Sequence, residues 1–159
     1  MSYTIRDARA EDMQRVLKLV QELAEFEKEE NAVEITTNDL IRDGFGLKPL
    51  FHCFVAESDG EIVGTALIYP RYSTWKGPII HLEDLIVTKE MRGSGLGSAL
   101  LTEVIKYGHN LGVKRISWEV LDWNEPAINF YEAKGARVLR DWDVVHMDEG
   151  GIQNFINNL

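Results

Sequence analysis

The chain has 159 residues, 45% of them hydrophobic, with 17 Lys and Arg against 26 Asp and Glu for a formal net charge of −9. That length and apolar content suit one domain with its own core, so residues 1–159 are read as a single domain. The negative balance argues against nucleic acid or an anionic membrane as partner and is compatible with a small cationic ligand.

Strand-like and helix-like patterns alternate from end to end, predicting an α/β (α+β) fold. Tyr3 to Ala8 reads as a first strand, and Asp12 to Glu27 as an amphipathic helix, with Met13, Val16, Leu17, Val20, Leu23 and Ala24 at three-and-four spacing. A short helix is expected after Thr36 or Thr37 as cap, closed by a left-handed turn at Gly44. Phe51 to Glu57 and Glu61 to Tyr69 flank Ser58-Asp59-Gly60, an Asp-Gly hairpin signal, and Ile79 to Thr88 continues the sheet. Leu96 to Leu111 returns to helical spacing, and Val113 to Leu121 is expected as a strand. Asn124-Glu125-Pro126 opens a helix that Gly135 closes, Trp142 to Met147 reads as a last strand, and the polar tail has weak helical potential.

The lone cysteine, Cys53, cannot form an intrachain disulfide, and neither it nor the scattered His52, His81, His109 and His146 shows metal-site spacing. No stretch approaches the roughly 20 apolar residues of a membrane span and no basic start precedes an apolar leader, so the expected location is cytoplasmic.

The sharpest local feature is Val87-Thr88-Lys89-Glu90-Met91-Arg92-Gly93-Ser94-Gly95-Leu96-Gly97-Ser98, a strand leaving through a glycine-rich turn into a helix. Glycines let backbone N–H groups close on an oxyanion, the helix N-terminus adds partial positive charge, and Arg92 supplies a full one. The spacing fits neither a dinucleotide fingerprint, whose third glycine would fall at Ser98, nor a P-loop, which needs Gly-Lys-Ser/Thr. The alternative is a tight turn that merely needs flexible backbone.

Arg92-Gly93-Ser94-Gly95-Leu96-Gly97 resembles the pyrophosphate-binding element of the GNAT acetyltransferase superfamily. Leu23-Ala24-Glu25-Phe26-Glu27, Asp43-Gly44-Phe45-Gly46, Phe51-His52-Cys53, Leu82-Glu83-Asp84 and Asp122-Trp123-Asn124 are similar to segments of its diamine (spermidine/spermine) acetyltransferase family. Tyr72-Ser73-Thr74-Trp75-Lys76-Gly77 with Leu121-Asp122-Trp123 resembles the branch associated with thialysine. The likeness runs from about Ile5 to Trp142. It implies a mixed, mostly antiparallel central sheet with splayed strands flanked by helices, acetyl-CoA as cosubstrate, no metal, a small cationic amine as substrate, and a homodimer.

The resemblance implies roles that chemistry can check. An amine of lysine type has a pKa near about 10.4, so at neutral pH only about one molecule in a few thousand is a free nucleophile, and some group must take its proton. Glu83 matches the family's general base, acting through water, with Asp84 as its cation-holding neighbour. The two are consecutive, and a regular strand would send them to opposite faces, so serving one site requires a bulge; otherwise the pair would make ordinary ion pairs at a strand end. Tyr131, in itself an amphipathic core residue with its hydroxyl at the surface, matches the family's acid that protonates the CoA thiolate. Backbone N–H groups of Leu85, Ile86 and Val87 would polarise the thioester carbonyl. Arg92, Gly93, Ser94, Gly95, Leu96, Gly97 and Ser98 would hold pyrophosphate, and Asn124, besides capping a helix, would meet the CoA arm.

Phe26, Glu27 and Trp75 match substrate-pocket positions, and Phe26 stands where the polyamine branch has tyrosine. The run from Glu22 to Glu34 holds six acids against Lys28; of these Glu27 is the candidate ligand, while Glu22, Glu29 and Glu30 read as a solvated helix end. Trp142 reads first as core. Two rival functions stay open: acetylation of a protein amine, and a non-catalytic CoA-binding sensor, which would need neither Glu83 nor Tyr131.

Overall fold

In the computed structural model, which describes residues 2–159, Thr4–Asp7 forms strand β1 and the periodic segment that follows forms helix α1 (Met13–Phe26). Thr36 caps the next helix, α2 (Thr37–Phe45): its hydroxyl accepts from the Asp39 N–H at 3.2 Å while the Asp39 carboxylate accepts from the Thr36 N–H at 2.8 Å. The expected stop at Gly44 is wrong, because α2 runs through it and ends in extended backbone at Gly46. Gly44 is small for packing: a Cβ there would lie 2.2 Å from the Phe51 ring.

The apolar runs flanking the Asp-Gly step pair as β2 (His52–Ser58) and β3 (Glu61–Ser73), with Asp59 and Gly60 both at positive φ in the turn. Then come β4 (Gly77–Val87), helix α3 (Leu96–Leu111) and β5 (Ile116–Ser117). The strands lie in the order β1-β2-β3-β4-β5, antiparallel except for the β4–β5 pair. This is the mixed, mostly antiparallel sheet with flanking helices that the α/β (α+β) reading expects.

Alternation along the strands separates the two faces of the sheet. Cys53 and Val55 join Met13, Val16 and Leu19 of α1 and Leu40 of α2 in one core. His52 and Phe54 point the other way and meet the Tyr107 ring of α3 at 4.9 and 6.0 Å. Gly64 lets α3 approach on that side, since a Cβ there would lie 3.0 Å from Leu100.

β5 is much shorter than the expected Val113 to Leu121. Among the described residues β4 and β5 pair only at Ile80 with Ile116 and His81 with Ser117, after which they splay and the chain beyond Ser117 has no ladder to join.

The residues from Val120 onward form a second unit. Asn124 caps α4 (Glu125–Ala133), accepting from the Ala127 N–H, and Asp148 caps α5 (Glu149–Asn157), accepting from the Gly151 N–H at 2.8 Å. The expected strand from Trp142 to Met147 does not form. It has no neighbouring strand within its unit, and its side chains stand in solvent, Trp142 at 67% exposure, so Trp142 is not core. Among the described residues no helix is long and apolar enough to cross a membrane.

Candidate active site

The β3–β4 ladder skips one residue. Leu67 pairs with Asp84 but the next residue, Ile68, pairs with Leu82, so Glu83 is an extra residue on β4, a β-bulge. Cross-strand partners share a face, which puts Cys53, Leu67 and Asp84 together; Tyr69, two residues on from Leu67, brings its partner His81 to the same side. Glu83 also reaches this face, with a carboxylate oxygen 3.8 Å from His81 Nε2, and burial, then the negative charge of Glu83, pushes the Tyr69 hydroxyl up. The bulge therefore reconciles two consecutive acids with one site on the α1 side of the sheet.

The electrostatics are those of crowded carboxylates. Burial, then the negative charges of Glu83 and Glu27, pushes the Asp84 carboxyl up to about 7. Glu27, immediately after α1, is raised by burial and by Glu29. Such a cluster of carboxylates would be relieved by an ammonium. The folded chain keeps a proton on Asp84 between the ordinary 3.8 and about 7, where the unfolded chain has lost it, so stability falls as pH rises through that window. Asp84→Asn is expected to melt higher than the parent chain at pH about 8, with the gain shrinking toward pH about 4. Thermal melts across that range decide it, and a gain independent of pH would contradict the assignment.

The glycine-rich turn has open, left-handed backbone. Gly93 and Gly95 take φ of 80° and 87°, and a Cβ at either would meet nothing within 4 Å, leaving open space over the backbone. Gly95 starts α3 without a side-chain cap, so the first N–H groups of the helix are available to a ligand. These residues fit a pyrophosphate group.

Glu22 holds the turn, a role absent from its reading as a solvated acid. Its carboxylate accepts from the Lys89 N–H at 2.8 Å and the Thr88 hydroxyl at 3.1 Å, and faces the Arg92 guanidinium at 3.8 Å. Arg92 also donates to the Val87 carbonyl at 3.2 Å and lies 5.4 Å over the Phe26 ring, so the end of α1 and the turn are tied together.

Glu27, Glu83 and Asp84 are thus brought together, and Phe26 joins Arg92. Trp75 is not among them: it lies 77% exposed in the β3–β4 turn, whose Ser73–Gly77 pair is six residues along β3 from Leu67, about 20 Å of extended strand. Beyond the β5 pairing, the backbone of Leu85, Ile86 and Val87 has its outer edge free of ladder partners among the described residues. In the second unit Tyr131 is half-buried on α4, with the Phe130 ring 5.4 Å away, about two turns from the Asn124 cap. Cys53 is buried beside the Thr65 hydroxyl at 3.1 Å and its thiol is pushed up to about 11, mainly by burial, which removes it as a nucleophile. His81 and Tyr69, dismissed or unremarked in the sequence, both face Glu83; their signal is cross-strand register, which no single segment carries.

The model of the Acetyltransferase (GNAT) family matches residues 8–136. The chain is 41% identical over 150 residues to thialysine N-epsilon-acetyltransferase of Bos taurus, covering 89% of this chain and 88% of that protein. It is 35% identical over 152 residues to spermidine/spermine N(1)-acetyltransferase-like protein 1 of Homo sapiens, covering 91% of this chain and 22% of that one. Among solved structures, an integron cassette protein from the mobile metagenome of V. cholerae superposes with a TM-score of 0.79 at 19% identity, covering 98% of each chain, a likeness of fold alone.

Proposed function

From the premise that the chain belongs to the GNAT acetyltransferase family and is an N-acetyltransferase, we propose that it acetylates a primary amine of a small molecule, a thialysine-like amino acid or a diamine or polyamine, with acetyl-CoA as donor. The observation that carries the substrate class is the set of carboxylates Glu83 and Asp84 on one face of the sheet, with Glu27, at the end of α1, close enough to raise Asp84. Crowded negative charge selects an ammonium over a neutral or anionic acceptor. The 41% identity to a thialysine N-epsilon-acetyltransferase supports the same class.

The roles follow from what each group can do. Asp84 and Glu27 hold the ammonium, with Phe26 as an apolar wall and Trp75 as an outlying aromatic. Glu83 takes a proton from the nitrogen through water, which frees its lone pair for attack. The turn from Arg92 through Gly93, Ser94, Gly95, Leu96 and Gly97 to Ser98 holds the pyrophosphate, and Asn124 meets the pantetheine arm. Acetyl-CoA, when bound, supplies the acyl group and a thiolate leaving group. N–H groups of Leu85, Ile86 and Val87 polarise the carbonyl. As the C–N bond forms and the C–S bond breaks, Tyr131 delivers its phenolic proton to sulfur and recovers one from solvent. No covalent enzyme intermediate is needed. A homodimer in the cytoplasm, with neither nucleic acid nor membrane as partner, belongs to the same proposal.

The test is CoA release from acetyl-CoA with thialysine, spermidine, putrescine, lysine and a lysine-containing peptide in parallel. Saturable turnover with a small amine is the expected result and selects the branch. Turnover with the peptide alone would replace the proposal by protein acetylation, and acetyl-CoA binding without turnover would replace it by a sensor.

A further inference from the structure

One polar cluster on the face of Glu83 has no part in the roles above. His81 is 5% exposed. Its Nδ1 lies 2.8 Å from Ser117 Oγ on β5 and 3.4 Å from Arg71 Nη1 on β3, and its Nε2 lies 3.8 Å from Glu83 Oε2. The Tyr69 ring packs on the imidazole, 5.3 Å between centroids, and its hydroxyl lies within the electrostatic influence of Glu83.

These neighbours determine where the imidazole carries its proton. An arginine has donors only, so Nδ1 faces Arg71 as an acceptor, and the Ser117 hydroxyl can donate to the same nitrogen. The neutral ring then bears its hydrogen on Nε2, toward Glu83. The charged groups around His81 are Glu83 on its own strand, Arg71 on β3 and Glu119 just beyond β5. Burial, helped by Arg71 and opposed by the two acids, lowers the proton affinity of His81 and keeps the ring neutral.

We infer that His81 is a positioning residue for Glu83: locked in one tautomer by Arg71 and Ser117, it presents Nε2–H to the carboxylate and holds it in the orientation in which it takes the proton of the amine. The inference rests on Glu83 as general base. The Glu83 side chain is 52% exposed, and a small rotation closes the 3.8 Å gap to a hydrogen bond. An unrestrained carboxylate at that exposure would spend much of its time turned to solvent, whereas a donor fixed on the sheet keeps it aimed at the site.

His81→Leu and His81→Gln test this, with thermal melts and acetyl-CoA binding as controls for folding. His81→Leu is expected to lower kcat about tenfold, the loss of one hydrogen bond to a charged group, with the KM for acetyl-CoA unchanged. The acid limb of the kcat/KM profile should move to higher pH, because a carboxylate that loses a donor binds its own proton more tightly. His81→Gln, which keeps an N–H donor, should recover most of both effects. An unmoved acid limb in a folded His81→Leu protein overturns the inference, whatever happens to kcat. If His81→Leu does not fold, His81→Phe keeps a planar ring in the same place but offers no N–H; the acid limb should again move to higher pH, and an unmoved limb overturns the inference. Full activity of Glu83→Gln would instead overturn the base on which this rests, and is read independently of the His81 variants.

Discussion

Glu83→Gln is expected to lower kcat at neutral pH by at least about a hundredfold while leaving the affinity for acetyl-CoA intact. The amide keeps the size and the bulge of β4 but cannot accept the proton of the amine. Nearly all the amine at neutral pH is ammonium, with a pKa near about 10.4, so without a base the reaction waits on the rare free form. The deficit should narrow as pH rises toward that value and solvent does the work of Glu83. A kcat/KM profile from pH about 6 to about 10 for both proteins checks this. A deficit of constant size across the range would show that Glu83 orients the substrate and does not take its proton.

Tyr131→Phe is expected to cost about two orders of magnitude in kcat, the usual contribution of a positioned acid. Removal of one oxygen leaves the apolar body of the ring on α4, half-buried beside Phe130. Acetyl-CoA binding, followed by calorimetry, should therefore change less than about twofold, a few tenths of a kcal/mol. A thiol of pKa near about 8.5 leaves unassisted more readily at alkaline pH, so this deficit too should ease there. Unchanged turnover would remove Tyr131 as the acid, and a parallel loss of cofactor affinity would give it a binding role.

What could be read from the chain alone was local. The three-and-four spacing from Met13 to Ala24, the Thr36 and Asn124 caps, the Asp-Gly turn and the open backbone at Gly93 and Gly95 each depend on a few neighbouring residues, and each is found as expected. Features that depend on a distant partner were not legible. Glu22 meets the Lys89 N–H across 67 positions, and nothing in its neighbouring residues points to that partner. His81 has a purpose only once β3 and β5 bring up Arg71 and Ser117. Gly44 looked like a helix stop because glycine usually is one there, while the reason for it is the Phe51 ring of a later segment. The apolar alternation around Trp142 to Met147 suggested a strand, but pattern alone supplies no neighbour to complete its hydrogen bonds. The candidate site divides in the same way: residue types and glycine spacing pointed to its members, and the resemblance paired Glu83 with Asp84, but their common face follows from a register skip between two strands.

That skip leaves β4 with two phases. Up to His81 the odd-numbered residues look toward α1; from Asp84 on it is the even-numbered ones, as Ile86 in the α1 core confirms. β4 can therefore absorb changes of side chain more easily than changes of length. One residue fewer between Leu82 and Ile86 would let the ladder close without interruption, a more regular sheet in which neighbouring acids would part to opposite sides.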